Sequence, residues 1–295
     1  PIGNWGNLQQ MKRGDNHDWG IWHGERGFAH LDSARMPFCS EYGLPSPSRW
    51  HLDDDSTADD WKSRLLSYKG PKLLEKYVRE EYPKSWPHQG VASTEFMDFG
   101  DSAAVVQGEF LYRAMISHRM AAPYCMGSLY WQYNDIWNGT TWSVANTESG
   151  WSMLKSSQGR VAEAMLPVVM KLQPSGWWGV KDQFYVKFNS RLLTECEIPL
   201  EVTAYDSLGK SLFSKDFVVK LPRNWNVDSE LFVSWVKPIS FAGKRKYRKK
   251  MDRVSYYSVR LHQPAAAQRM MDLTPKGKYY GEGYPILEEC LSVGN

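Results

Sequence analysis

The chain has little of what marks a redox, metal or membrane protein. Four cysteines (Cys39, Cys125, Cys196, Cys290) occur in 295 residues. None has C-x-x-C spacing, which argues against a zinc ribbon or a thioredoxin-type site. Cys39 and Cys125 lie in apolar runs, where free cysteine acts as a small hydrophobe, so the count leaves the redox compartment open. No apolar run approaches the roughly 18 residues of a membrane helix. Glycine-rich phosphate loops, zinc-finger spacings and RNA-binding signatures are all missing. Asp53-Asp54-Asp55 lacks the glycine and distal glutamate of a calcium loop and reads as a solvated turn. Net charge is only +3. Its basic concentration, residues 244–250, reads as a solvated loop between strands rather than a nucleic-acid patch. No metal, nucleotide or other cofactor is therefore expected, and no nucleic-acid or membrane partner. Pro1-Ile2-Gly3-Asn4-Trp5 has neither the basic region nor the apolar core of a signal peptide and reads as the inside of a loop. The sequon Asn138-Gly139-Thr140 is compatible with secretion.

What is present is ordinary in bulk, with 42% hydrophobic and 23% charged residues, as in globular proteins. The aromatic content is not ordinary: 14 Trp stand beside 16 Tyr. Flat aromatic faces suit the C–H faces of pyranose rings, and they also build large cores and β-sandwiches.

The first half alternates between strand and helix signals. Residues 1–16 read as an exposed loop, and 17–24 as a strand end opening into a site. A short helix over 25–35 has Phe28, Ala29, Leu31 and Ala34 on its inner face. Residues 36–41 form a strand, and Trp61, Leu65 and Tyr68 have helical spacing. Pro71 opens an amphipathic helix through Leu73, Leu74, Tyr77, Val78 and Tyr82 that ends at Pro83. Asp101-Ser102 caps a long helix to about Met120, with a stripe of Ala103, Val106, Phe110, Ala114 and Met115. His118 reads as a residue of its C-terminal end. Residues 123–132 read as a central parallel strand buried on both faces. A further helix covers 150–166, and Trp142 and Trp151 flank the loop before it. This order indicates repeated βα units.

After Pro167 the texture changes. Short alternating runs at 183–193, 199–206, 212–221, 231–236 and 254–261 predict a small β-sandwich. The boundary falls near 167–176, giving domains over 1–170 and 171–295, and the tail from Pro264 reads as irregular surface cover.

One acidic residue stands out. Met36, Phe38 and Cys39 deliver Glu41 to a strand end, where Gly43 and Pro45 stop the strand. A carboxylate there is costly unless paired or solvated in a site. In an alternating barrel the C-terminal strand ends carry catalytic groups. Taken alone, the stretch also fits a glutamate turned to solvent.

Three motifs follow in order: 13–24 (Arg13-Gly14-Asp15-Asn16-His17-Asp18-Trp19-Gly20-Ile21-Trp22-His23-Gly24), Ser40-Glu41-Tyr42-Gly43, and 127–137 with Tyr130-Trp131-Gln132 and Asn134-Asp135. Together they resemble the β-mannosidases of glycoside hydrolase family 2, from residue 1 to about 200. The resemblance implies a retaining exo-glycosidase: about strands 6–8 of a (β/α)8 TIM barrel, then an immunoglobulin-like β-sandwich. It implies Glu41, ending the seventh strand, as the nucleophile. Trp131, ending the eighth, would floor the subsite of the non-reducing mannose. Asn134 and Asp135 would bind its hydroxyls or brace their loop, and His23, Trp22 and Trp5 would line the pocket. His17 and Asp18 would be hydroxyl or supporting contacts. The implied substrate is a β-mannoside oligosaccharide or N-glycan fragment, and the implied compartment is the lysosome or the outside of the cell.

The chain departs from the family pattern in two places. Leu44-Pro45-Ser46 replaces an aromatic-Gln-Ser, and Asn138 stands where proline is common, which leaves a glucosaminide, galactoside or glucuronide open as the sugar. The Asn-Glu pair that carries the family's acid/base is missing from the sequence. The expectation is that an N-terminal remainder of the same enzyme supplies it. A non-catalytic sugar-binding relative is the alternative outside the enzymes.

Overall fold

Residues 38–41 form the strand the apolar run foretold, but with an irregular register, and that irregularity shapes the first half of the molecule. In the computed structural model the described residues are 4–5, 12–47, 70–85, 99–135, 140–146, 153–174, 183–222, 234–241, 245–264, 267 and 286–292. They divide into two compact units, Pro1–Ala164 and Met165–Asn295.

In the first unit, strands β1 (Asn4–Trp5), β2 (Asp15–His17), β3 (Phe38–Glu41) and β4 (Gly127–Ser128) lie side by side in chain order, every neighbouring pair parallel. β1 occupies part of the stretch read as a loop. Asn16 pairs with Cys39, but His17 pairs with Glu41, so Ser40 is an extra residue on β3. Such a bulge re-aims the next side chain. The displaced Ser40 N–H donates to Asp15 Oδ1 at 3.1 Å, and the Ser40 hydroxyl donates to Asp15 Oδ2 at 2.6 Å. The ladder bond lost at the bulge is thus replaced.

Helices α1 (Ala29–Ser33), α2 (Gly70–Ser85), α3 (Phe99–Met120) and α4 (Ser157–Ala164) belong to this unit, and α3 packs on the other three. Their core is aromatic: Phe28 meets Tyr77 and Phe110 at 5.8 and 5.6 Å, and Tyr42 meets Phe110 at 6.4 Å. The Tyr77 hydroxyl donates to the Ile21 and Arg26 carbonyls at 2.7 and 3.0 Å.

Several expectations are corrected here. On α1 the inward side chains are Phe28, Leu31, Ala34 and His30, while Ala29 is exposed. α2 continues to Ser85, past Pro83. α3 begins at Phe99 and is buried on nearly every side from Ser102 onward, not along one stripe. Within 150–166, Met153–Leu154 is strand β6, paired with β5 (Ala145–Asn146), and helix begins only at Ser157. The run 123–132 is strand only at Gly127–Ser128, and Met126 and Leu129 are 46% and 56% exposed. Among the described residues β4 is the last strand of the sheet, and this apolar run has less cover there than its composition anticipates. The helix read around Trp61, the acidic turn 53–55, Asn138 of the sequon and Trp151 lie outside the described residues.

The second unit is antiparallel. One sheet has the order β11 (Ser234–Ser240), β8 (Gln183–Ser190), β7 (Val168–Pro174); the other has β10 (Ser211–Leu221), β9 (Cys196–Tyr205), β12 (Tyr256–His262), β13 (Ile286–Ser292). Phe184 of β8 meets Tyr257 of β12 at 5.0 Å, and Phe241 stacks on Tyr257 at 5.7 Å. The β9–β10 turn closes on Asp206, whose carboxylate accepts the Leu208 and Lys210 N–H groups, with Gly209 at φ +74°. That left-handed conformation favours glycine.

β7 fills the stretch read as a boundary, and β13 lies in the tail read as irregular. β13 carries Ile286, Leu287, Cys290 and Leu291 around a polar pair at 288–289; the Ser258 hydroxyl bonds Glu288, and the Arg260 side chain lies 4.0 Å from that carboxylate. The basic run is also corrected. Arg245–Met251 is helix α5, held by Tyr247, which is 7% exposed and packs on Phe213 at 4.6 Å and Phe241 at 5.2 Å. Tyr247→Ala is expected to destabilise the second unit by about 3 kcal/mol through the cavity it leaves. Exposed Lys249→Ala should change stability by less than about 0.5 kcal/mol. Urea titrations of the two variants check both values.

Candidate active site

All four parallel strands run toward one rim, and β2, β3 and β4 each deliver polar or aromatic residues there. The bulge sets His17 beside Glu41. The Glu41 side chain is 24% exposed, with Oε2 3.2 Å from His17 Nδ1. The Trp19 indole N–H donates to the same oxygen at 3.1 Å. The backbone is fastened too, because the Asp18 N–H donates to the Glu41 carbonyl at 2.8 Å. This carboxylate is therefore partly desolvated, oriented by the Trp19 N–H with His17 close beside it, and still reachable from solvent.

Trp131 approaches from β4. Its N–H donates to the Tyr42 carbonyl at 2.9 Å, and the side chain is 43% exposed. Its peptide bond to Gln132 is cis. The approach leaves no room at residue 43: a Cβ on Gly43 would lie 2.2 Å from the Trp131 carbonyl oxygen, so the site needs glycine.

Behind the rim lies a buried polar cluster. Gln107 of α3, fully buried, donates from Nε2 to the Leu44, Trp142 and Ser143 carbonyls and accepts the Ser46 hydroxyl at 2.8 Å. It ties the segment after β3 to residues 142–143. The Thr141 and Ser143 hydroxyls donate to Asp135. Lys155 donates to the Ser46 carbonyl at 2.8 Å and to the Thr141 carbonyl at 3.3 Å. Burial lowers Lys155 to about 8, against the opposing pull of Asp135.

A second buried chain runs from Tyr42 to the Ser128 hydroxyl at 2.7 Å and on to His118 Nδ1 at 2.8 Å. Burial pushes the Tyr42 phenol upward, partly offset by the bond to Ser128. It lowers His118 to about 4, with Asp18 opposing and Arg35 assisting. Among the described residues, no group of three or more His, Cys, Asp or Glu could hold a metal ion, and no helix is long and apolar enough to cross a membrane.

The residues named from sequence separate into three groups. Glu41, His17, His23, Trp131 and Asn134 reach the surface at or beside the rim. Trp22 is 0% exposed and packs edge-on against Trp142 at 6.0 Å, which corrects its reading as a pocket group, while Asp135, 5% exposed, braces residues 141–143, the second of the two roles read for it. Asp18 also faces inward, which leaves the supporting one of the two roles read for it. It is 4% exposed and bonded to His30 at 2.8 Å. Trp5 lies on β1 opposite His17. Sequence reasoning missed Trp19, His30, Gln107 and Lys155. Trp19 at least stood inside a quoted motif; the others sit on helices or in loops, where no local pattern separates a polar staple from a solvated side chain.

No family model matches the chain. The β-mannosidases of Capra hircus and Bos taurus are each 27% identical to it over 151 residues, 44% of this chain and 16% of theirs. β-Mannosidase B of Emericella nidulans is 25% identical over 147 residues, 45% of this chain and 16% of that protein. In structure, the chain is similar to the β-D-mannosidase of Dictyoglomus thermophilum, with a TM-score of 0.64 at 19% identity over 87% of this chain and 30% of that one. The exo-chitosanase CsxA of Amycolatopsis orientalis gives 0.52 at 11% identity over 87% and 27%. The chain is thus a β-mannosidase-like relative with the fold of part of such proteins, and its match spans about a sixth of the curated relatives.

Two outcomes follow from this geometry. Gly43→Ala should displace Trp131 and cost about 1–3 kcal/mol, read as a lower denaturation midpoint and altered Trp emission. His118 gives a pH signature. The unfolded imidazole protonates near pH 6.5 and the folded one only near 4, so stability is lost as pH falls between those values, by up to about 3 kcal/mol. His118→Gln should flatten this slope in urea titrations at pH 7 and pH 4.5.

Proposed function

We propose that this chain is the C-terminal part of a retaining exo-β-mannosidase that removes terminal non-reducing β-D-mannose, with Glu41 as nucleophile. One arrangement carries the reading: a partly exposed carboxylate at the end of a parallel strand, held on one oxygen by the Trp19 N–H with His17 3.2 Å away, beside a strand followed by exposed Trp131. In this reading β1 to β4 are the last four strands of a (β/α)8 barrel, whose C-terminal rim carries the chemistry. The second unit is its immunoglobulin-like companion domain.

With Oε2 held, Oε1 of Glu41 is the oxygen that attacks the anomeric carbon. A carboxylic acid about 5–5.5 Å away protonates the departing glycosidic oxygen. A covalent glycosyl-enzyme forms on Glu41, and water, deprotonated by the second carboxylate, then displaces the sugar. Trp131 stacks under the mannose ring, and His23 and Asn134 face its hydroxyls. The second carboxylate comes from polypeptide beyond this chain, consistent with the small share of the relatives that it matches. A β-mannoside oligosaccharide or N-glycan fragment is the substrate, met in the lysosome or outside the cell.

In the full-length enzyme, Glu41→Gln is expected to lose about 10³-fold or more in kcat/KM, because the covalent route closes. Labelling by 2-deoxy-2-fluoro-β-D-mannosyl fluoride should map to Glu41, and a panel of p-nitrophenyl β-glycosides should rank the mannoside first. Full activity in Glu41→Gln would overturn the assignment. A preference for the glucosaminide, galactoside or glucuronide would overturn the sugar alone.

A further inference from the structure

Asp18 and His30 form a buried pair just behind the rim. Each side chain is 3% exposed, and His30 Nε2 lies 2.8 and 3.0 Å from the two carboxylate oxygens of Asp18. Arg26 Nη1 stands 3.3 Å from His30 Nδ1. A guanidinium only donates, so Nδ1 accepts and the ring proton sits on Nε2, directed at Asp18. Asp18 Oδ1 also accepts the Gly20 N–H at 3.1 Å. The fit is close: a Cβ on Gly20 would lie 2.5 Å from His30 Nε2 and 3.0 Å from Asp18 Oδ1.

A pair this deeply buried carries a desolvation cost. Apolar residues of similar volume would fill the space without it. What they would not supply is a directional hold on the turn over residues 18–20. That turn is fastened at the Asp18 N–H, which donates to the Glu41 carbonyl, and at the Asp18 carboxylate, which holds His30 and the Gly20 N–H. Between these two anchors stands Trp19, with its indole N–H on Glu41 Oε2.

We infer that the Asp18–His30 pair is a positioning device for the nucleophile: it fixes the turn that presents the Trp19 N–H to Glu41, and so decides which carboxylate oxygen is held and which attacks. The inference rests on the assignment of Glu41 as nucleophile. His30 touches no substrate in this arrangement and acts through Asp18 and Trp19. A misplacement of about 1 Å at a reacting group costs on the order of 10²-fold in rate, which sets the size of the effect.

The test uses the full-length enzyme and 2-deoxy-2-fluoro-β-D-mannosyl fluoride, following both the rate and the final stoichiometry of Glu41 labelling by mass spectrometry. His30→Ala should slow labelling about 10- to 100-fold at full final stoichiometry, with KM for p-nitrophenyl β-mannoside within about 3-fold. His30→Gln, which keeps an N–H donor near Nε2, should recover most of the rate. Trp19→Phe should slow labelling similarly, and the double variant should be no slower than either single one, because both act through one hydrogen bond. Asp18→Asn, matched in volume, should also slow labelling and serves if His30→Ala fails to fold. Wild-type labelling rates in His30→Ala or Asp18→Asn would overturn the inference. So would additive losses in the double variant, or reduced stoichiometry at an unchanged rate, which marks only a folding defect. Labelling or activity that survives Glu41→Gln would overturn the nucleophile assignment itself; loss in Glu41→Gln with unchanged His30→Ala would overturn the positioning role alone.

Discussion

Asp15 holding the amide and hydroxyl of Ser40 is the constraint on which the first unit's rim depends. Without that carboxylate, the extra residue in β3 would leave a backbone N–H without its ladder partner, a cost comparable to a lost hydrogen bond. With it, the bulge persists and β3 gains one residue relative to β2. Because side chains alternate along a strand, a one-residue offset exchanges the faces they occupy. His17 therefore meets Glu41 rather than Ser40, and Trp19 can reach the same carboxylate oxygen. Two hydrogen bonds to one carboxylate, 25 residues away in the chain, set the geometry of three residues that carry the proposed chemistry.

Behind that rim the support is polar rather than greasy. Gln107 ties three carbonyls to the Ser46 hydroxyl, Lys155 holds two more carbonyls, and Asp135 accepts two hydroxyls. Irregular segments cannot satisfy their own backbone groups by regular pairing, so buried ones need such partners. α3 is well suited to supply Gln107, since it is buried on nearly all sides. Once satisfied, such a network resists small displacements, because breaking any bond exposes an unpaired group in a low-dielectric interior.

Some of this was legible before any coordinates. A glutamate arriving on a short apolar run and followed by glycine marked a strand end, and the structure gives the glycine its reason in the close approach of Trp131. The texture changes near Pro167: before it lie four parallel strands with helices and the short antiparallel β5–β6 pair, and after it only antiparallel sheets among the described residues. Other signals misled. Residues 123–132 have the composition of a doubly covered strand, yet Met126 and Leu129 are exposed, β4 being the last strand of its sheet among the described residues. The basic run forms a helix because one residue in it, Tyr247, finds an aromatic pocket. Trp22 belongs to a site-like motif but is buried, whereas Asp18 and Asp135 face inward as supporting and bracing groups, one of the two roles read for each.

The sequence by itself determined the order of the main helices and strands, the separation of βα texture from alternating strands, and the residue types available at each strand end. These follow from periodicity and turn chemistry, which act over a few residues. Tertiary structure decided which of those residues face the rim. Whether Asp18 meets solvent or His30, and whether Trp19 points at Glu41 or into the core, depends on groups 12 and 22 residues apart in the chain. Directional bonds between such groups exist only after the strands have taken their register, and no local pattern encodes a partner at that distance.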